Sequence, residues 1–363
     1  MTKRLAFQEY QSEKLNLQTR IVMPPMARGF SNEKHVYNDK YTQYYTLRAE
    51  KGVGLVISEG TYISKEAQWT INGTLDCGVY NDDHMEGLKK ICEGVHKNNG
   101  KFAVQLWHTG KFADTPICPY EATVGNKQAK VATLEDLKRI KGDFVNAARI
   151  AKKAGCDAVE IHGAHEFFLD EFIQKKNLRT DGYGTTFEGK IRFPIEVVKA
   201  VREEVGQDFC IIYRTSQWTN TDFNEKKWDT IEDLGKWGNA LKDAGVDIIH
   251  VSTNRAYKLE FEGQGEGGEK HTLAGWYKKL TGLPVIAVGG VCYTQNAGYS
   301  FSQDEPTTIQ DPEPFLKLIE DGEFDLLAVG RALIKNPDWV ELVSSGNWKK
   351  VKPFLRSDLM TLN

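Results

Sequence analysis

The chain has 363 residues, 47 basic against 50 acidic side chains for a net charge of −3, and 40% hydrophobic residues. Near-neutral charge without a basic tract offers no grip for nucleic acid or an anionic membrane surface, and no run approaches the ~18 apolar residues of a membrane span. Six cysteines (Cys77, Cys92, Cys118, Cys156, Cys210 and Cys292) stand singly, which points away from a zinc ribbon or a cysteine-bound iron–sulfur cluster. No signal peptide opens the chain, so a reduced, soluble, cytoplasmic protein is expected.

Eight short runs rich in Val and Ile recur at 20–23, 53–58, 102–107, 158–162, 210–214, 247–252, 284–288 and 325–329. They alternate little between apolar and polar residues, as strands buried on both faces of a parallel sheet do. Helical patterns fill the intervals: Met85, Leu88, Ile91, Cys92 and Val95 fall at three- and four-residue spacing. Thr133 with Asp136 reads as a helix start and Gly155 as its stop. Thr230, Asp233 and Gly245 repeat the arrangement. Ala-Gly-Cys-Asp at 154–157 returns as Ala-Gly-Val-Asp at 244–247, each time just before a strand. Repeated strand–helix units without a composition break predict an α/β fold, a (β/α)8 TIM barrel in a single domain over 1–363. A doubly wound sheet would show a GxGxxG turn after its first strand, where this chain reads MPPMAR at 23–28. Two stretches stand out as inserted loops, 109–131 and 254–270, the second glycine-rich and expected to move.

In such barrels the chemistry collects at the C-terminal strand ends. The last two runs end in Gly289-Gly290 and Gly330-Arg331, where glycines bring backbone N–H groups close to a phosphate and the guanidinium adds a bidentate partner. The fourth run ends in His162, followed by His165. Two imidazoles there suit metal ligation, carbonyl hydrogen bonding or rim packing. A zinc site needs a third ligand, for which His250 is the obvious candidate. Two donors aimed at one carbonyl oxygen fit better, and no metal is expected. Alternation turns Gln105 and Trp107 to one face, and the glutamine amide suits the pyrimidine edge of a flavin or a nucleobase. Arg214 ends the fifth run and calls for an anionic or electron-rich partner. Gly60, after the second run, leaves room for a flat ring.

These segments resemble the Old Yellow Enzyme family of FMN-dependent ene-reductases. The resemblance rests on RIVMPPMAR at 20–28, GLVISEGT at 54–61, GKFAVQLWH at 100–108 and VEIHGAH at 159–165. It continues through Asn177, Arg179-Thr180-Asp181, Tyr183-Gly184 and Arg192-Phe193 to VGG at 288–290 and VGR at 329–331. It implies a barrel holding FMN non-covalently, with ping-pong hydride transfer from NAD(P)H to a small electrophile: an enone, a quinone or a nitro compound. By position, Pro25, Met26, Ala27, Gly60 and Gln105 would contact the isoalloxazine ring. Arg214 would stand at its N1/C2 carbonyl region and stabilise the reduced, anionic form. Gly289, Gly290, Gly330 and Arg331 would hold the phosphate, and His162 and His165 the acceptor's carbonyl oxygen. Trp107 and Phe167 would border the substrate. Self-association into a homo-oligomer is compatible with this reading.

Two positions depart from the family pattern. Ala27 stands where the family commonly has a Thr or Cys whose side chain touches the flavin edge, a contact that alanine removes. Phe167 replaces the tyrosine that usually protonates the substrate α-carbon, so a quinone, which needs no carbon-directed acid, becomes the alternative acceptor. The end of the chain at residue 363 and the scattered cysteines speak against the dienoyl-CoA reductase and trimethylamine dehydrogenase branches. A metal-dependent barrel hydrolase on the three histidines, or a barrel that binds FMN without turnover, are the competing readings.

Overall fold

The computed structural model describes residues 4–70, 73–219, 222 and 225–363. Eight parallel strands close into a barrel: β1 (Ile21–Met23), β2 (Leu55–Tyr62), β3 (Lys101–Trp107), β4 (Ala158–His162), β5 (Cys210–Ser216), β6 (Ile248–Ser252), β7 (Val285–Val288) and β8 (Leu326–Ala328). Each pairs with its sequence neighbour, and Ile21 opposite Leu327 shuts the ring. The eight runs read from the sequence are these strands. β2 differs most, running on through Gly60 to Tyr62 after a register shift between Ile57 and Gly60. Such an irregularity re-aims the strand end at the barrel mouth.

The outer layer is formed by α1 (Asp39–Glu50), α2 (Asp82–His96), α3 (Leu134–Lys153), α4 (Phe168–Ile173), α5 (Phe187–Val205), α6 (Ile231–Ala244), α7 (Leu273–Thr281), α8 (Ala297–Ser302), α9 (Glu313–Glu320), α10 (Arg331–Lys335) and α11 (Trp339–Ser344). Local signals set their ends. The Thr133 hydroxyl and Asp136 carboxylate cap α3 reciprocally, satisfying two orphan N–H groups. Thr230 caps α6, which stops at Gly245 in the left-handed conformation. No described helix is long and apolar enough to cross a membrane.

Residues 10–17 turn back on themselves through a Tyr10–Leu17 bridge. Tyr10, Leu15 and Leu17 pack on Leu55, Ala158, Cys210, Ile248 and Leu326, the first residues of their strands. The N-terminal end of the barrel is thereby plugged, and a cavity opens at the opposite end.

Both expected insertions carry short pairings. Within 109–131, Ile117–Cys118 pairs with Lys130–Val131, and Thr123–Val124 with Lys127–Gln128. The second is tied down by Leu259–Glu260 against His271–Thr272. A third insertion escaped the sequence reading. Residues 293–309 leave β7 and return through a Tyr293–Ile309 bridge, carrying α8 over the barrel mouth. Its mixed polar composition has no apolar period to separate it from an ordinary connection.

Candidate active site

A cavity of about 590 Å³ opens at the C-terminal strand ends, and all the residues assigned from the sequence to cofactor or acceptor line it. At one end are Gly289, Gly290, Gly330 and Arg331. Gly289 (φ 153°) and Gly290 (φ 68°) turn where a Cβ would approach the Thr253 carbonyl oxygen to 2.3 Å and the Arg255 guanidinium to 2.7 Å. A Cβ at Gly330 would meet only Met26 Sδ at 3.5 Å and Pro24 Cγ at 3.7 Å, filling ligand space instead. Among the described residues no acceptor meets the backbone N–H of Gly289, Gly290 or Gly330. Unpaired amides beside a guanidinium make an anion cradle.

Arg331 donates to the carbonyl oxygens of Gln295 (2.7 Å) and Asn296 (3.1 Å) and to Ser300 Oγ. All three acceptors are neutral and belong to the 293–309 lobe, so the guanidinium keeps its charge while the lobe fixes its direction. Burial lowers its pKa to about 10, which leaves it protonated at neutral pH.

In the middle, Pro25, Met26 and Ala27 leave β1, opposite Gln105 on β3 and Arg214 on β5. Arg214 is buried and its Nε has no partner; Nη2 reaches Ser252 Oγ at 3.4 Å. Burial pulls this guanidinium's pKa down. An orphaned donor on a buried cation suits the electron-rich edge of a planar ring. Gly60 has a different immediate reason from the one expected. A Cβ there would stand 2.4 Å from the Trp107 indole, so its first service is to admit that side chain, which in turn walls the cavity.

At the other end, burial and the Arg214 charge hold His162 and His165 well below the usual histidine range, so both are neutral. The Ala164 N–H donates to His162 Nδ1 at 3.4 Å. That nitrogen is therefore the bare one, and Nε2 carries the proton. His165 Nε2 lies 2.9 Å from Ser252 Oγ, and its ring stacks on Trp218 at 4.5 Å. The Phe167 ring stands edge-on to Trp107 (4.8 Å) and His162 (5.0 Å).

His165 (φ 62°) and Glu166 (φ 58°) are consecutive left-handed residues without a glycine, a costly turn that surrounding contacts must hold. The His165 N–H donates to Ser216 Oγ at 3.2 Å and the Glu166 N–H to Asp170 at 2.8 Å. Lys227 bridges both acceptors, 2.5 Å from Asp170 and 3.0 Å from Ser216. The Glu166 carboxylate, itself buried, receives Lys111 at 2.9 Å.

Sequence reasoning missed Trp69 and Trp218, which also line the cavity with Ala297, Phe301 and Leu359. The two tryptophans lie just beyond β2 and β5, so extending the search past the last strand residue would have found them. The lysine bolts carry no sequence signal, Lys227 being 57 positions from Asp170. His250, considered as a third metal ligand, is not at the cavity wall. Its Nδ1 lies 2.6 Å from Glu160.

Residues 7–350 match the model of the "NADH:flavin oxidoreductase / NADH oxidase family". The chain belongs to this family. It is 31% identical to an NADPH dehydrogenase of Clostridium acetobutylicum, over 97% of this chain and 98% of that one. It is 30% identical to an NADH oxidase of Thermoanaerobacter brockii over 95% of its own length, but spans about half (52%) of that longer protein. An Old Yellow Enzyme structure from Pichia superposes with a TM-score of 0.78 at 25% identity, covering 98% of this chain and 90% of that one. Membership makes this Old Yellow Enzyme relative an FMN-dependent oxidoreductase served by NADH or NADPH. The cavity fits that cofactor: an amide-and-arginine cradle would suit the single phosphate, and a buried arginine with an unpartnered Nε stands where an electron-rich ring edge would lie.

Proposed function

We propose that the oxidant is a ring-borne conjugated carbonyl of the quinone type, with simple enones reduced slowly. Phe167 carries this reading. It occupies the wall beside His162, and its ring has no proton to give. Among the described lining residues there is no tyrosine, cysteine or carboxylate. Protonating a carbon next to a carbonyl requires an acid within hydrogen-bond reach, whereas a quinone takes its protons on oxygen.

Pro25, Met26, Ala27, Gln105 and Arg214 would hold the ring of FMN, and Gly289, Gly290, Gly330 and Arg331 its phosphate. Bound FMN supplies the two-electron carrier between NAD(P)H and the acceptor. The protein's part at the acceptor is binding and orientation. His162 presents its Nε2–H to the carbonyl oxygen and His165 lies beside it. Both are neutral, so they would act on that oxygen as hydrogen-bond donors. Trp69, Trp107 and Phe167 supply flat apolar walls that favour a planar ring and exclude water. One cavity serves reductant and oxidant in turn.

Stopped-flow reoxidation of the reduced holoenzyme tests the reading. A benzoquinone should react quickly and cyclohexenone slowly, with a deficit of ~10²- to 10⁴-fold, the usual worth of a positioned acid. Phe167→Tyr should speed the enone selectively and leave reduction by NAD(P)H unchanged. Rapid enone reoxidation in the wild type would show that water or another donor supplies the proton, and the enzyme would then be an ordinary ene-reductase.

A further inference from the structure

Behind the cavity wall lies a buried acid that none of the chemistry above uses. Glu160, on β4, is fully buried, as is His250 on β6. Glu160 Oε1 accepts from Gln105 Nε2 at 2.8 Å, and its Oε2 lies 2.6 Å from His250 Nδ1. Arg214 Nη1 stands 4.0 Å from Oε1. The register explains the grouping: Gln105 is directly opposite Glu160, and Arg214 directly opposite His250. Gln105 and Arg214 reach the cavity, whereas Glu160 and His250 do not. The carboxylate therefore sits behind two side chains that face the cofactor's ring.

We propose that Glu160, held by His250, is a positioning residue that orients the Gln105 amide and offsets the Arg214 charge, thereby setting the reduction potential of the bound flavin. An ionised carboxylate only accepts hydrogen bonds, so it fixes which end of the Gln105 amide turns inward and leaves the amide oxygen directed away from it. A carboxylate does not adjoin a guanidinium without effect in a buried site, where charges are weakly screened. Reduction adds negative charge to the ring. Arg214 favours that change, and Glu160, one residue further back, opposes part of it. Three neutral or paired groups surround the acid: Gln105 supplies one donor, His250 supplies its Nδ1–H, and Arg214 supplies the counter-charge. His250 Nε2 has no partner among the described residues, so the ring's evident work is the single bond to Glu160. This inference depends on FMN binding and not on which acceptor is used.

The test is a reductive titration of FMN-loaded enzyme against a reference dye. Glu160→Gln keeps the shape and removes the charge. It should shift the midpoint potential to more positive values, equivalent to roughly tenfold tighter relative binding of the reduced cofactor, and should perturb the visible bands as the bond from Gln105 loses its charged acceptor. A second pair of variants answers the question even if that protein fails to fold. His250→Gln keeps a donor to Glu160 and should leave the potential near wild type. His250→Ala leaves Glu160 Oε2 without its donor and should move both the potential and the visible bands where His250→Gln does not. An unchanged or more negative potential in Glu160→Gln, or wild-type potential and bands in His250→Ala, would overturn the proposal.

Discussion

At the β7–β8 end the cavity offers backbone amides and one arginine steered by carbonyl oxygens, whereas at the β4 end it offers side chains whose turn is bolted by buried charge. The first design is local. Gly289 and Gly290 sit where no Cβ fits, and the amides point where the strand exits point. The second is distributed. His165 stands where it does because Lys227, far along the chain, holds both Ser216 and Asp170. A site of the first kind is sensitive at its glycines and its one arginine. One of the second kind can be disabled from positions that never touch a ligand.

The strongest way to break the contrast is Lys227→Met, which leaves the fully buried Asp170 without its cation. Removing one partner of such a pair costs about 3–5 kcal/mol. Denaturant unfolding should show that loss, and His165 should lose its alignment for phenol-type ligands, while the glycine cradle is untouched. Wild-type stability in this variant would mean that the bolt contributes nothing.

Arg331→Ala probes the other end. Losing a charge-assisted contact should weaken FMN binding by about 2 kcal/mol or more, read by fluorescence of released flavin. The three lobe acceptors are freed at the same time, so faster flavin release should accompany the weaker binding. If the variant retains FMN as the wild type does, the amides alone hold the phosphate.

His162→Ala separates acceptor binding from cofactor binding. A neutral donor to a charged oxygen is worth ~1.5–3 kcal/mol, or roughly 10- to 150-fold in the dissociation constant of a phenolate. Flavin content should stay constant. Equal phenolate affinity would remove His162 from the carbonyl site.

Per unit of pH, the smallest effect is a slope at the β4 end. Glu171 is fully buried 3.4 Å from Lys111, and burial pushes its carboxyl from 4.5 up to about 8. Between those values the unfolded chain has released the proton and the folded chain still holds it. Stability from this group therefore falls as pH rises through the window, by at most about 1.4 kcal/mol per pH unit. Glu171→Gln should flatten that fall in urea midpoints taken from about pH 5 to about pH 8. Parallel curves for the two proteins would place the ionisation elsewhere.

Much of this is legible in the amino-acid sequence. Strand runs such as 158–162, the Thr133–Asp136 start and the Gly245 stop are short-range statements, because a residue's burial pattern and its capping chemistry depend on neighbours a few positions away. Strand ends carry the site, so His162, Gln105 and Arg214 could be placed at one barrel mouth once the strands were counted. The tertiary structure alone decided which partners those residues have. Gly60 is small because Trp107 of the adjacent strand crosses it, and Arg331 is aimed by a lobe whose sequence has no pattern of its own. Lys227 finds Asp170, and Glu160 finds His250 across the barrel interior. Periodicity reports which face of an element avoids water. It does not report which distant charge will meet another there, since that depends on where the closed barrel brings the segments.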